Sequence, residues 1–196
     1  MSKAERTKQF IIEKTAPLFN TKGYSGTSMS DITEATGLTK GSIYGNFENK
    51  DEVALAAFKY NIKKLQDAFG SEIEKQKTFK NKLLVYPRLY SHYYDLRVTK
   101  GGCPILNTAS EADDTHPVLR KSVERVILFW KEKIMYFIEQ GILEGEFKAK
   151  SIDVERTALT IIALIEGAVM IAKVTGNVKD LSTVMLSVTQ IIEGLE

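Results

Sequence analysis

GYSGTSMSDITEATGLTKGSIYGNFENKDEV, residues 23–53, is the stretch whose reading decides the fold. Met29, Ile32 and Ala35 recur at helical spacing behind Thr27 and Ser28, either of which suits an N-cap. Asp31 and Glu34 fall in the first turns, where a carboxylate favours the positive end of a helix. Gly37 follows Thr36, and glycine adopts the left-handed conformation that ends many helices. Thr39 then opens a second short helix, Lys40 to Phe47, and Asn49 caps a third that starts with Lys50, Asp51 and Glu52. Ile43 and Phe47, four apart, face inward with Ile32, which leaves Thr39, Lys40, Ser42, Tyr44 and Asn46 outside. Gly41 and Gly45 each cost that second helix about 1 kcal/mol relative to alanine. A helix so weak by propensity depends on packing, and its missing side chains permit close approach to another backbone. Two short helices around a glycine turn form a helix-turn-helix, which presents its second helix to a DNA major groove.

The chained motif is specific enough to name a family. Gly23-Tyr24, Thr27-Ser28-Met29, Asp31-Ile32, Ala35 to Gly41, Ile43-Tyr44, Asn46-Phe47 and Asn49 to Glu52 resemble the TetR family of bacterial transcriptional repressors, over residues 10 to 60 or so. Asn46 stands where the family often has His, and Thr33 where it often has Ala. The resemblance implies an all-α protein, with a three-helix DNA-binding domain over 1–49 and a ligand-binding and dimerisation domain over 50–196, residues 50–70 forming the connecting helix. It also implies DNA contacts at Thr27, Ser28, Thr39, Lys40, Gly41, Ser42, Tyr44, Asn46 and Lys50. Lys40 reaches a base edge or a phosphate, the hydroxyls serve either, and the start of the Lys50 helix suits a phosphate. The bland alternative is a solvated surface helix.

Bulk properties agree without deciding anything. A chain of 196 residues suffices for a real core in one or two helical domains. A formal charge of +2 does not demand nucleic acid, so attraction to DNA must come from local placement. A single cysteine excludes an internal disulfide and fits a reducing cytosol. Met1 to Lys8 is polar, and Phe10 to Ile12 is far too short for a signal peptide, so a cytoplasmic protein is expected. Ala158 to Ala172 is nearly all apolar, but it is short for a membrane span and carries Glu166; it reads as a helix buried on more than one side.

Nearly everything else reads as helix: Ala4 to Thr21 with a bend at Pro17, Lys50 to about Phe69, Phe79 to Leu96, Cys103 to Glu111, Val118 to Gln140, Asp153 to Thr175 and Asp180 to Leu195. Gly70-Ser71, Thr99 to Gly102, Asp113 to Pro117, Gly141 to Lys150 and Gly176-Asn177 read as breaks. The last two helices carry more apolar surface than one face can bury. A two-fold interface of two helices per chain takes up the surplus, with Ile161, Ile165, Ala168, Val184, Val188 and Ile191 as its candidates. The resemblance implies the same homodimer, which sets two recognition helices about 34 Å apart on a palindromic operator.

Three further groups have competing readings. Tyr86, Tyr90, Tyr93, Phe129, Trp130, Tyr136 and Phe137, with Cys103 as a further candidate, form either an effector pocket, which the resemblance implies, or ordinary core. Cys103, in KGGCPILN, sits at a helix start near Lys100, and similar segments occur in TetR-type sensors of electrophiles or oxidants; a buried inert thiol is the commoner outcome. His92, His116, Asp113 and Asp114 lack metal-ligand spacing, so neither metal nor cofactor is expected. No catalytic constellation is legible, which disfavours an enzyme. The expectation is a regulator released from its operator by an unidentified small molecule, against a thiol sensor of the same fold or a dimeric module that does not act in transcription.

Overall fold

The computed structural model describes residues 2–93, 98–148 and 152–196; within them the chain is all-α, with nine helices and no strand. Two compact units result, one of Met1–Leu65 with Thr99–Glu124, the other of Gln66–Val98 with Arg125–Glu196.

In the first unit, α1 (Lys3–Lys22) opens on a Ser2/Glu5 capping box and carries Pro17 inside it. α2 (Met29–Thr36) has the matching Ser28/Asp31 box and ends at left-handed Gly37. Ser28, rather than Thr27, is therefore its cap. α3 (Lys40–Tyr44) is capped by Thr39, whose hydroxyl accepts from the Ser42 amide at 3.2 Å. It stops at Gly45, short of the expected Phe47, because the Asn46 amide turns back to Ile43 in a tighter i→i+3 bond. Ile11, Ile32, Ile43, Phe47 and Val53 form the core that joins α1, α2, α3 and the start of α4. Phe19, Met29 and Leu38 close its edge.

α4 (Lys50–Glu74) outruns its expected end. Gly70 and Ser71 lie within it rather than at a break, since one glycine costs a packed helix only about 1 kcal/mol. Phe58, Ile62, Leu65 and Phe69 are buried along one stripe. α6 (Pro104–Ala112), with Cys103 at its N-cap, returns the chain to the first unit and packs on α1. Gly101 (φ +94°) lies against the Asn20 carbonyl where a side chain would collide. α7 (Pro117–Leu143) follows, and Gly141, expected in a loop, is still helical.

The second unit holds α5 (Phe79–Ser91), α8 (Val154–Thr175) and α9 (Val178–Glu193) with the remainder of α4 and α7. The expected extension of α5 to Leu96 runs into residues outside the description. α9 packs on both α5 and α8. The Glu146 carboxylate accepts from the first amides of α5, Phe79 at 3.1 Å and Lys80 at 2.9 Å. α8 is long and apolar enough to cross a bilayer by length and composition. Its Ile161, Ile165 and Val169 are fully buried within the unit, as a core helix requires.

Candidate nucleic-acid interface and effector region

Sequence places Lys40 and Tyr44 on the short helix α3, and packing decides which way they face. Ile43 is fully buried and anchors α3, so Thr39, Lys40, Gly41 and Tyr44 are left exposed, Tyr44 at 50%. Ser42 and Asn46 are half-buried, and the Asn46 amide donates to the Ser42 carbonyl at 2.9 Å. Ser28 is exposed at the start of α2, its hydroxyl donating to Asp31 at 2.6 Å. Lys22 pairs with the same carboxylate at 2.6 Å and, with Ser28, holds it well below the usual aspartate range.

Two of the expected DNA contacts turn inward. Thr27 is fully buried and donates to the Gly23 carbonyl at 2.6 Å. The Lys50 ammonium lies 4.0 Å from the centre of the Tyr24 ring and donates to the carbonyls of Tyr24 (2.9 Å) and Thr27 (3.1 Å). Both side chains hold the α1–α2 loop, which leaves only the backbone at the start of α4 to meet a phosphate. Motif reading places residues on a helix end, but three bonding directions around one ammonium are a tertiary property.

The same loop is gripped from its other side by residues the motif did not include. The Glu111 carboxylate, on α6, accepts from the amides of Tyr24 and Ser25, both at 2.6 Å. Gly23 is required beside it: its φ is +75°, and a Cβ there would run into that carboxylate. The Tyr24 hydroxyl donates to Asp51, and burial, with that carboxylate, pushes the phenol up to about 12. His116 packs edge-on against the Tyr24 ring at 4.6 Å, its Nε2 3.6 Å from Asp51. Asn20 donates to the carbonyls of Lys100 (2.7 Å) and Gly102 (2.9 Å), and Asn107 donates back to the Asn20 carbonyl at 3.0 Å. Through these bonds α6 and the turn before it fix the entry to the helix-turn-helix.

Residues 11–57 match the family model described as bacterial regulatory proteins, tetR family, and residues 80–188 match the tetracyclin repressor-like C-terminal domain. The chain belongs to the TetR family of transcriptional regulators. It is thus a DNA-binding regulator. A TetR-family regulator of Cytophaga hutchinsonii is 48% identical, with all of this chain and 98% of that one covered and a TM-score of 0.94. One from Chloroflexus aurantiacus is 39% identical over 98% and 97% of the two chains, with a TM-score of 0.93. Among curated relatives, the transcriptional repressor DhaR of Mycobacterium sp. (strain GP1) is 27% identical, covering 87% of this chain and 84% of its own.

For this TetR-family chain the expected effector region divides. Tyr86, Tyr90, Tyr93 and Trp130 come together in the second unit, joined by Phe69 of α4. Phe137 is buried too, beside Phe79 at 6.4 Å. Phe129 and Tyr136 are instead 54% and 48% exposed, so they leave the set. They are one residue from Trp130 and Phe137, and on a helix a neighbour in sequence points about 100° away. Cys103 belongs to the first unit and is fully buried.

The expected interface residues need a similar correction. Ile161, Ile165, Ala168 and Val188 are buried inside the protomer, while Val184 and Ile191 are half-buried. The apolar surface left open on these helices is Leu159, Met170, Ile171 and Val174 of α8 and Val178 and Leu186 of α9. Periodicity finds both stripes on such a helix but does not say which one meets its own core.

Proposed function

We propose that the chain is a homodimeric repressor that holds a palindromic operator and is released by a small-molecule effector. Residues 1–49 would read the DNA, and residues 50–196 would bind the effector and dimerise. The observation that carries this reading is the pair Lys40 and Tyr44, exposed on a helix whose opposite residue, Ile43, is fully buried. Lys40 would meet a base edge or a phosphate and Tyr44 a phosphate, with Ser28 and Thr39 adding hydroxyls. The open stripe on α8 and α9 would be covered by a second copy, because a contiguous exposed apolar face usually marks an interface. The effector would enter the aromatic region that includes Phe69 of α4, and the helix that begins at Lys50 would carry the displacement. The protein would act in the cytoplasm and without catalysis. Complete burial of Cys103 weighs against the thiol-sensor reading, since a reactive thiolate needs access.

Selection of bound sequences from a random duplex pool tests the proposal. The expected product is an inverted repeat with half-site centres about one helical turn, roughly 34 Å, apart. Enrichment of a lone half-site, or of nothing, would overturn the dimeric repressor.

A further inference from the structure

The aromatic cluster of the second unit holds a buried donor with no acceptor among the described residues. Trp130 is 8% exposed, and its indole N–H is buried with no hydrogen-bond partner among the described residues. Tyr86, 5% exposed, lies beside it with ring centroids 6.0 Å apart. No described residue accepts from its hydroxyl, and burial alone pushes that phenol above its ordinary value. Phe69 packs on Tyr86 and Tyr90 at 5.7 and 5.1 Å, and Tyr90 packs on Trp130 at 6.1 Å and Tyr93 at 5.3 Å. These are separations of rings in direct contact, so a guest has to part them. None of the five side chains carries a charge.

We propose that the effector of this site is a flat, apolar, uncharged molecule bearing a hydrogen-bond acceptor, such as a ketone or other carbonyl oxygen, held by Trp130 Nε1–H and the Tyr86 hydroxyl. The proposal rests on the reading of this region as the effector site. The physical reason is satisfaction. A buried donor without an acceptor is unfavourable, and a guest oxygen would remove that penalty at Trp130 while also accepting from the Tyr86 hydroxyl. A cation gains from ring faces but would confront two N–H and O–H dipoles of the wrong sign. A carboxylate could accept both bonds, yet its charge would be buried without a counter-ion among these five residues. A hydrocarbon of the same shape would fill the space and leave the Trp130 donor orphaned. Entry between Phe69 and the tyrosines would displace the α4 side chain that closes the cluster, so binding and movement of α4 are one event.

Trp130 is the only tryptophan in the sequence, so its emission reports on the cluster directly. The test titrates the full-length protein with 2-acetylnaphthalene, 2-ethylnaphthalene and 1-methylquinolinium, following Trp130 emission and, in parallel, calorimetry. The ketone is expected to bind at least about tenfold more tightly than the hydrocarbon, the equivalent of about 1.4 kcal/mol. It is also expected to outcompete the cation. Tyr86→Phe and Trp130→Phe should each erode the ketone-to-hydrocarbon ratio while the hydrocarbon affinity stays within about twofold, which separates a lost hydrogen bond from a lost fold; calorimetry supplies the readout for the Trp130 variant. Equal binding of ketone and hydrocarbon, tighter binding of the cation, a ratio that survives both variants, or no binding of any probe would overturn the assignment. Operator selection with the same preparation shows separately whether the repressor reading stands.

Discussion

Gly23 and Glu111 are 88 positions apart in sequence and meet at one point, so they should fail together. Glu111→Ala removes two charge-assisted bonds to the Tyr24 and Ser25 amides. Such bonds contribute about 1.5–3 kcal/mol each when buried, and because Ser25 is exposed the pair is better set at about 2 kcal/mol. Gly23→Ala meets two penalties. The backbone at φ 75°, ψ 177° lies in a region that is essentially glycine-only, at about 1–3 kcal/mol for another residue. The new Cβ also expels the Glu111 carboxylate, which forfeits the same 2 kcal/mol or so. Gly23→Ala alone should therefore cost about 4 kcal/mol. The double variant should also cost about 4, where independent sites would give about 6, a coupling of about 2 kcal/mol. Urea unfolding at a fixed protomer concentration measures this, with equal m-values required for the comparison. Additive losses would refute the clamp, and so would an Glu111→Ala protein as stable as the parent.

Lys40→Ala and Tyr44→Ala should each weaken binding to the selected operator by at least about tenfold with unfolding unchanged, which gel-shift titration beside urea melts would check. Ile43→Ala should behave oppositely, losing about 2–5 kcal/mol of stability because it empties the core under α3. Asp31 and Glu52 are both held below the usual carboxylate range, Asp31 chiefly by Lys22 and Glu52 chiefly by the Glu48 amide. A lowered folded value stabilises above the unfolded one and is lost as pH falls toward it, so stability should drop below about pH 4. Melts of Asp31→Asn should show a shallower acid limb. Met170→Glu and Val174→Glu place a charge on the open face of α8; on the proposed dimer, light scattering should find dimers of the parent and monomers of these variants.

How far the sequence could be read depended on the range of the interaction. Ser28, Gly37, Thr39 and Asn49 act within four residues of themselves, so caps and breaks around the helix-turn-helix fall where local chemistry puts them. The buried stripe of α4 is equally local, since helical spacing alone brings Phe58, Ile62, Leu65 and Phe69 to one face. The end of α4 was not legible, because Gly70 is a weak breaker that packing overrides. Lys50 reads as a phosphate contact from its place at a helix start, while its true partners are two carbonyls 23 and 26 residues earlier. Glu111 carries no local signal at all. Its meaning lies in a loop 86 residues earlier that happens to offer two parallel amides.

The weakness of α3 is itself part of how such a chain would respond to an effector. A five-residue helix has almost no stability of its own, so its position is dictated by what it packs on. Its anchor, Ile43, shares a core with Val53 in the first turn of α4, and Lys50 of the same turn holds the loop that enters α2. Phe69 lies on that unbroken helix, 19 residues beyond Lys50 or about 28 Å along its axis. On the proposed reading, a guest that shifts Phe69 sideways by about 2 Å would tilt α4 by about 4° over that length, and α3 has no internal rigidity with which to resist. A longer, self-stable recognition helix would need its own packing broken before it moved. On that reading a coupling of about 1–3 kcal/mol would be enough, because α3 is held only by what it packs on.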